Sequence, residues 1–266
     1  LKAQSVFTEK DMARLGLNHR AVMLESWQAY LVDLLQANKN ITDEEREALA
    51  LIKGWSAKAS IDDAGYTLVK KFRMEFQQSL NQLLIARLDA EGLLHADFDR
   101  ENLWLFSRQS EGAFLQLRDQ APKHWLPADF ASWNQWSFSM LASVIKDLKA
   151  RHGSLAAARW GAENSLRMHH PIASSLPAFL ASGLNMPVTE LAGDSDMPMA
   201  QHPRHGQSMR FVVSPGREQD GFLTLPAGQS GHPLSPYYRA GHSDWVEQKN
   251  SALLAGPMEA RLTLRP

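Results

Sequence analysis

The amino-acid sequence predicts an α+β protein in which helices come first and strands come last. Apolar residues recur with a helical period of about 3.6 residues over much of the range 1–160. After Trp160 and Gly161 prolines recur, and short runs of β-prone residues lie between them. Because helices and strands are segregated along the chain, we predict a mainly helical region at 1–160 and a strand and loop region at 161–266.

Two threonines mark the first predicted helix starts. Thr8 and Thr42 are each followed by an acidic residue three positions later, the pattern of a capping box in which the hydroxyl accepts a backbone N–H of the first turn. After Thr8 the helical rhythm of apolar residues continues as far as Leu35. The helix that begins after Thr42 is predicted to stop near Gly54.

Two longer helices are predicted farther along the helical region. Residues 60–89 place large apolar side chains on one face and charged side chains on the other. Residues 132–151 form the next candidate helix, and Gly153 is placed to end it, since glycine readily adopts the conformation that closes a helix.

Three short strands are predicted in the second region. The runs "SMRFVV" (208–213) and "GFLTL" (221–225) are separated by a polar segment that contains Pro215 and Gly216, which predicts a β-hairpin. The run "EARLTL" (259–264) is a third candidate strand.

Composition excludes several classes of function. The chain has 266 residues, of which 44% are hydrophobic and 21% charged, as in an ordinary globular protein. Its net charge of −1 provides no long-range field to attract nucleic acid. No run of 18 apolar residues predicts a membrane span. Cysteine is absent, so the sequence excludes disulfides, thiolate zinc sites and a cysteine nucleophile.

The segment "LPAGQSGHPLSPYYRAGHSDW" (225–245) contains a serine between two glycines. A nucleophile elbow requires Gly-x-Ser-x-Gly, but the order here is Gly228, Gln229, Ser230 and Gly231, so the last position is wrong. Two prolines that follow also prevent the helix that an elbow requires. We therefore predict a structural turn rather than a nucleophile, in which glycine permits a positive φ and polar side chains satisfy the loop backbone.

Other candidate sites have a more ordinary interpretation. The block "GDSD" (193–196) resembles an esterase motif, but it lies in a proline-rich loop rather than at a first strand. The adjacent His169 and His170, and the pair His202 and His205, lack a third ligand at a persuasive spacing, so no metal site is predicted. No phosphate loop or dinucleotide fingerprint occurs. Four aromatic residues are predicted to be core rather than pocket, namely Trp125, Trp133, Trp136 and Phe138.

Five blocks, in order, resemble the penicillin acylase family of N-terminal-nucleophile hydrolases, which includes acyl-homoserine-lactone acylases. They are "FTEKDMARLGLNHR", "LIKGWSAKASIDDAGYTLVKKFRMEF", "RWGAENSLRMHHP", "GQSMRFVVSP" and the segment 225–245. The last two are the most specific, and together the blocks span nearly the whole chain. The segment departs from the family pattern at 239–242, where an acidic or amide pair is replaced by "RAGH".

The resemblance implies amide hydrolysis on an αββα sandwich, to which the strands of this chain would belong. In the family the nucleophile is a serine exposed by self-cleavage, its α-amine is the base, and an asparagine helps to form the oxyanion hole. The blocks correspond to the C-terminal half of the family's β chain. These catalytic residues and the calcium ligands of the family are therefore expected upstream of Leu1, and no catalytic or metal-binding residue is expected within this chain. Gly228, Gln229, Ser230 and Gly231 remain a family-mark structural turn.

The resemblance also implies the surroundings of the chain. We expect a piece of a longer precursor, inactive alone, whose partners are the α chain and the N-terminal part of the β chain. We expect a periplasmic or secreted parent enzyme that acts on small N-acyl substrates, with neither nucleic acid nor a membrane span involved. The alternative is a non-catalytic helical or structural binding domain.

Overall fold

The computed structural model describes residues 6–99, 104–106, 108–258 and 260–264. Within these ranges it contains α-helices, short 3₁₀ turns and antiparallel strands, which confirms the α+β class. The helices are α1 Glu9–Gly16, α2 Val22–Ala37, α3 Asp43–Gly54, α4 Ala64–Ala90, α5 Glu111–Gln120, α6 Trp133–His152, α7 Trp160–Glu163, α8 Ala178–Leu184 and α9 His242–Val246. None of the helices in the described ranges has both the length and the apolar character needed to cross a membrane.

The chain forms two compact units. The first, here the helical unit, consists of residues 21–57 and 62–160. The second, here the loop-rich unit, consists of Leu1–Arg20, Lys58–Ile61 and Gly161–Pro266. The sequence predicts one division of the chain, near residue 160. In the structure, two segments from before that point, Leu1–Arg20 and Lys58–Ile61, pack with the C-terminal part.

The predicted helix caps are confirmed. The hydroxyl oxygens of Thr8 and Thr42 accept first-turn backbone N–H groups at 3.3 and 3.2 Å, and both capping boxes are complete. The long helix α4 is capped by Asp63 and therefore begins later than the predicted Ser60. Helix α6 ends at Gly153, whose φ of 81° is the positive value that favours glycine.

The apolar rhythm that continues to Leu35 belongs to two helices rather than one. Helix α1 ends at Gly16, and α2 begins only at Val22. The intervening backbone pairs with a distant segment, since the Ala59 N–H donates to the His19 carbonyl at 2.9 Å. Arg20 also forms an isolated β-bridge with Lys58. A long-range strand-like pairing therefore interrupts the helical pattern.

Aromatic rings form the centre of the helical unit. Trp27 of α2 is fully buried and meets Phe76 and Phe72 of α4 edge to face, at centroid distances of 5.0 and 6.1 Å. Helix α4 approaches α3 closely at Gly65, where an added Cβ would lie 2.3 Å from the Leu51 carbonyl oxygen. A bulkier residue at Gly65 would force these helices apart.

A polar network joins α5 to the aromatic core of the helical unit. The indole N–H of Trp27 donates to Oε1 of Glu111 at 2.6 Å. The Arg73 guanidinium donates to Oε2 of the same carboxylate at 2.6 and 3.0 Å. The side chains of Arg73 and Glu111 are only 13% and 16% exposed, so loss of either charge would leave the other buried and unpaired.

The loop-rich unit contains three two-stranded antiparallel ladders in its described residues. The strands are β1 Ser165–Leu166, β2 Thr189–Glu190, β3 Gln201–His202, β4 His205–Gly206, β5 Arg210–Val212 and β6 Phe222–Thr224. Pairing of β5 with β6 confirms the predicted hairpin. Residues 260–264 are exposed and belong to no strand, so the predicted strand at 259–264 is wrong over that range. Glu259 lies outside the described residues.

Substitution of Glu111 by glutamine is expected to destabilise the helical unit by about 2–4 kcal/mol, because Arg73 would keep a buried charge without a counter-ion. Chemical denaturation followed by tryptophan fluorescence measures the change. The control is Glu44→Gln, since Glu44 pairs with Lys149 at the protein surface. This control is expected to change stability by less than about 1 kcal/mol. Equal losses in the two variants would contradict the assigned role of Glu111.

Candidate functional site

The segment 225–245, here the C-terminal block, is closed by a backbone contact. The Gly228 N–H donates to the Tyr238 carbonyl at 3.1 Å. A Cβ at position 228 would lie 1.7 Å from the carbonyl oxygen of Tyr237, so only glycine fits. The predicted reason for the glycines is wrong, because the positive-φ glycines of the described residues do not include Gly228 or Gly231. Close backbone approach explains Gly228 instead.

Ser230 has the contacts of a turn residue. Its hydroxyl oxygen accepts the backbone N–H of His232 at 3.2 Å. The imidazole of His232 is engaged elsewhere, since Nδ1 accepts the Leu234 N–H at 3.2 Å. Gln229 is exposed. Within the described residues no imidazole is hydrogen-bonded to the Ser230 hydroxyl, so the chemistry of a base-activated nucleophile is missing here.

Arg239 attaches the C-terminal block to the end of α8. Its guanidinium donates at 2.8–3.1 Å to three backbone carbonyls, those of Ser182, Gly183 and Asn185. The neighbouring Tyr238 is buried, and its hydroxyl donates to the Leu184 carbonyl at 2.6 Å. Helix C-termini leave carbonyls without intrahelical partners, and a cation is favourable there. The departure from the family pattern at Arg239 therefore supplies a helix cap.

His242 and Trp245 are buried and form an aromatic and cationic cluster with the half-buried Arg210. A ring N–H at Nδ1 of His242 donates to the Pro226 carbonyl at 2.7 Å, and the ring stacks on Trp245 at an interplanar angle of 19°. The Arg210 guanidinium lies 5.7 Å from the Trp245 ring centroid and donates to the Trp245 carbonyl at 2.9 Å. Burial lowers the pKa of Arg210. Nε of Arg210 and Nε2 of His242 are buried without a hydrogen-bond partner in the described structure.

A cleft of about 710 Å³ lies in the loop-rich unit between α1 and β5. Polar groups lie at its margins, where the Gln207 amide donates to the Gly16 carbonyl at 2.7 Å. Its lining is mostly apolar and consists of Met12, Ala13, Leu15, Gly16, Asn18, Pro198, Gln207, Met209, Arg210, Phe211, Val212, Val213, Phe222 and Asn250. The cleft offers hydrophobic contact but no cluster of acids and bases.

A serine and a histidine approach each other elsewhere in the loop-rich unit. The Ser60 hydroxyl lies 3.5 Å from Nε2 of His19, and Nδ1 of that ring lies 3.3 Å from the Leu17 carbonyl. The first distance is at the limit of a hydrogen bond, and the orienting group is a carbonyl rather than a carboxylate. In the described residues this pair lacks the third member of a triad, so its geometry is that of a packed polar contact.

The "GDSD" block (193–196) is a closed loop, as its position predicted. The carboxylate of Asp194 accepts the Ser195 N–H at 2.6 Å. Gly193 has a φ of 92°, and an added Cβ would meet the Met199 carbonyl at 2.3 Å. These contacts hold the backbone rather than present the Ser195 hydroxyl to a base.

The histidine pairs do not assemble a metal centre. The rings of His202 and His205 stack at 4.5 Å across the β3–β4 hairpin. His170 accepts the Ile172 N–H at the start of a 3₁₀ turn, and His169 is exposed. Across the part of the chain that the structure describes, no group of three or more His, Asp or Glu side chains could hold a metal ion.

Of the four aromatic residues predicted to be core, the prediction is confirmed for the two in the first turn of α6. Trp133 and Trp136 are buried and pack at a centroid distance of 5.1 Å. Trp125 and Phe138 are half-buried, and the Arg87 guanidinium covers the Trp125 ring at 5.7 Å. These four residues do not line the cleft.

Comparison with known proteins gives one consistent relationship. A family model described as penicillin amidase matches residues 1–259. The penicillin acylase 2 proenzyme of Pseudomonas sp. (strain SE83) is 28% identical over 124 residues, which cover 44% of this chain and 15% of that protein. The aligned segment is therefore a small part of the relative's length.

Gly228→Ala is expected to destabilise the loop-rich unit by about 1–3 kcal/mol, because the new methyl group would overlap a backbone oxygen that cannot rotate away. The matched control is Gly231→Ala, since an added Cβ there meets nothing within 4 Å. Thermal unfolding followed by near-ultraviolet circular dichroism compares the variants. Similar midpoints for both would show that the block tolerates a side chain at position 228.

The histidine stack predicts a pH dependence of stability. Burial, followed by the neighbouring His205, lowers the pKa of His202 below its ordinary value. The unfolded chain then binds a proton at a higher pH than the folded chain, so the His202 contribution is fully present above about pH 6.5 and is lost as the pH falls toward the folded pKa. Denaturation midpoints across this range are expected to fall less in His202→Gln than in the wild type. The same substitution at the exposed His169 should retain the wild-type slope.

Proposed function

This chain belongs to the penicillin amidase family, and we propose that it is the C-terminal portion of an amidohydrolase that cleaves N-acyl amide bonds. The observation that carries the proposal is the family match over residues 1–259, together with the related proenzyme. Membership of this family supports amide hydrolysis as the proposed class of reaction.

The proposed nucleophile is a serine that lies outside this chain and becomes N-terminal when a precursor is cleaved. A free α-amine has a pKa near neutrality, so part of it is unprotonated and can accept the serine proton. The hydroxyl oxygen then attacks the amide carbon, and an oxyanion hole holds the developing negative charge. The C–N bond breaks as the α-amine returns the proton to the departing amine, and water then hydrolyses the acyl-enzyme to a carboxylic acid and the free serine. The Ser230 hydroxyl accepts the His232 N–H, and the His232 ring accepts the Leu234 N–H, which supports a structural role for Ser230 and a nucleophile elsewhere.

The proposed contribution of this chain is architectural. Hairpin β5–β6 would join an αββα sandwich, with helices of this chain in an outer layer. In support, β6 already has neighbours on both sides, because the Leu223 N–H donates to the Ser251 carbonyl at 3.0 Å. The Gly228–Gly231 turn would fix a loop at the end of that sheet.

We further propose that the remainder of the same precursor, an α chain and the N-terminal part of a β chain, completes the enzyme. The word proenzyme in the name of the relative supports maturation by cleavage. A periplasmic or secreted location accords with this family. Any calcium would be held by ligands outside this chain, and the substrate would be a small N-acyl compound.

The test is turnover by the full-length gene product. We expect it to release nitroaniline from chromogenic N-acyl anilides, whereas the present chain alone releases none. Substitution of the newly N-terminal serine by alanine should abolish turnover, because both nucleophile activation and attack require that residue.

The matched control is Ser230→Ala in the full-length protein. It should retain turnover, since the Ser230 hydroxyl accepts only a loop N–H. A full-length protein that is neither cleaved nor active would instead favour the non-catalytic binding domain. Turnover by the present chain that is lost in Ser230→Ala would overturn both alternatives.

A further inference from the structure

The segment that contains α8 carries an exposed apolar surface. It begins with a 3₁₀ turn, Pro171–Ser175, which packs against α8. Helix α8 itself buries none of its side chains. Four large apolar side chains of the segment 171–188 are 49–76% exposed, and together they are here called the α8 patch: Ile172, Phe179, Leu180 and Val188. Exposed apolar groups that share one segment mark an interaction site more often than scattered ones do.

The surroundings of the α8 patch are basic. From Asn164 to Thr189 the sequence contains no acidic residue, and its one Lys or Arg in that range is Arg167, which is exposed. Arg239 of the C-terminal block is also exposed, and its guanidinium lies at the C-terminal end of α8. An apolar surface with a basic margin is complementary to an anionic lipid surface, because negative headgroups there cover an apolar interior.

The backbone at the end of α8 is already hydrogen-bonded to protein groups. The four carbonyls from Ser182 to Asn185 accept hydrogen bonds of 2.6–3.1 Å from the Arg239 guanidinium and the Tyr238 hydroxyl. Water can satisfy such carbonyls at an ordinary helix end. In apolar surroundings a carbonyl without a partner is costly, so this arrangement suits a helix end that loses its water.

A lipid surface fits these features better than a small ligand or a protein partner does. None of the four patch residues lines the cleft between α1 and β5. Protein interfaces surround an apolar centre with a polar rim and cross it with hydrogen bonds, whereas residues 171–188 include no charged side chain. The boundary between headgroups and acyl chains accepts apolar side chains without requiring directional partners.

We propose that the α8 patch binds the interfacial region of an anionic lipid bilayer, with Phe179 inserted among the acyl chains and Arg167 and Arg239 at the headgroup phosphates. In the described structure Arg239 contacts the carbonyls through Nη2, which leaves Nε and Nη1 to donate to a phosphate. The association is peripheral, since the seven residues of α8 extend over about 10 Å. This inference goes beyond the proposed function and does not depend on it.

Co-sedimentation of the full-length gene product with vesicles of equal parts phosphatidylcholine and phosphatidylglycerol tests the proposal. Phe179→Ser should weaken binding by a factor of at least about 10, because burial of the ring from water contributes that much to affinity. The matched control is Leu262→Ser, which removes an apolar side chain that is 84% exposed and lies outside the patch. This control should bind as the wild type does. No binding by the wild type, or equal binding by Phe179→Ser, would overturn the proposal.

Vesicle composition tests the role of the two arginines. Vesicles of phosphatidylcholine alone should bind the wild-type protein about tenfold more weakly or less, because each arginine near an anionic surface adds to the attraction. Added salt should weaken binding to the anionic vesicles, since it screens that attraction. Equal binding to the two kinds of vesicle would overturn the proposal.

Two rival occupants of the α8 patch are distinguished in the same assay. Vesicle binding by the present chain but not by the full-length protein would show that the remainder of the precursor covers the patch, and would overturn the proposal. Self-association of the full-length protein that Phe179→Ser abolishes would show that a second copy covers it, with the same consequence. Turnover is measured separately, so that an active protein that binds no vesicles removes only the lipid proposal. An inactive protein that binds vesicles removes only the proposed catalysis.

Discussion

Order in the loop-rich unit depends on the indole of Trp245. The helices and strands of this unit are short, so each can bury little surface against another. A buried cluster of Trp245, Leu166 and Leu191 connects them instead. Its N–H donates to the Gln207 carbonyl at 2.8 Å, and the Arg210 guanidinium covers its ring. One side chain thereby joins the β1–β2 ladder, the start of β5 and the C-terminal block. The hairpin edge beside the cleft is held in place through this ring.

Features governed by neighbours along the chain could be predicted from the sequence. The capping boxes at Thr8 and Thr42 need only a threonine and an acid three residues later. The end of α6 needs only Gly153, and the β5–β6 hairpin needs two β-prone runs with a turn between them. In each case the decisive interaction spans a few residues, so local chemistry determines the result.

Features governed by distant partners could not be predicted in this way. The break between α1 and α2 arises from pairing with residues 58–59, and helical periodicity carries no sign of it. The site residues that sequence analysis did not identify also have partners that are distant along the chain. Arg239 caps a helix more than 50 residues earlier, and His242 and Arg210 bind backbone carbonyls, which every residue possesses. A side chain that recognises backbone leaves no complementary residue type in the sequence.

The contact at Gly228 has a consequence for how this block can evolve. The atom that excludes a side chain there is the main-chain oxygen of residue 237, which is present whatever amino acid occupies that position. Reducing the size of Tyr237 therefore provides no compensation, and a second-site revertant would have to move the backbone itself. Among homologous sequences, position 228 should be invariant without covarying with position 237.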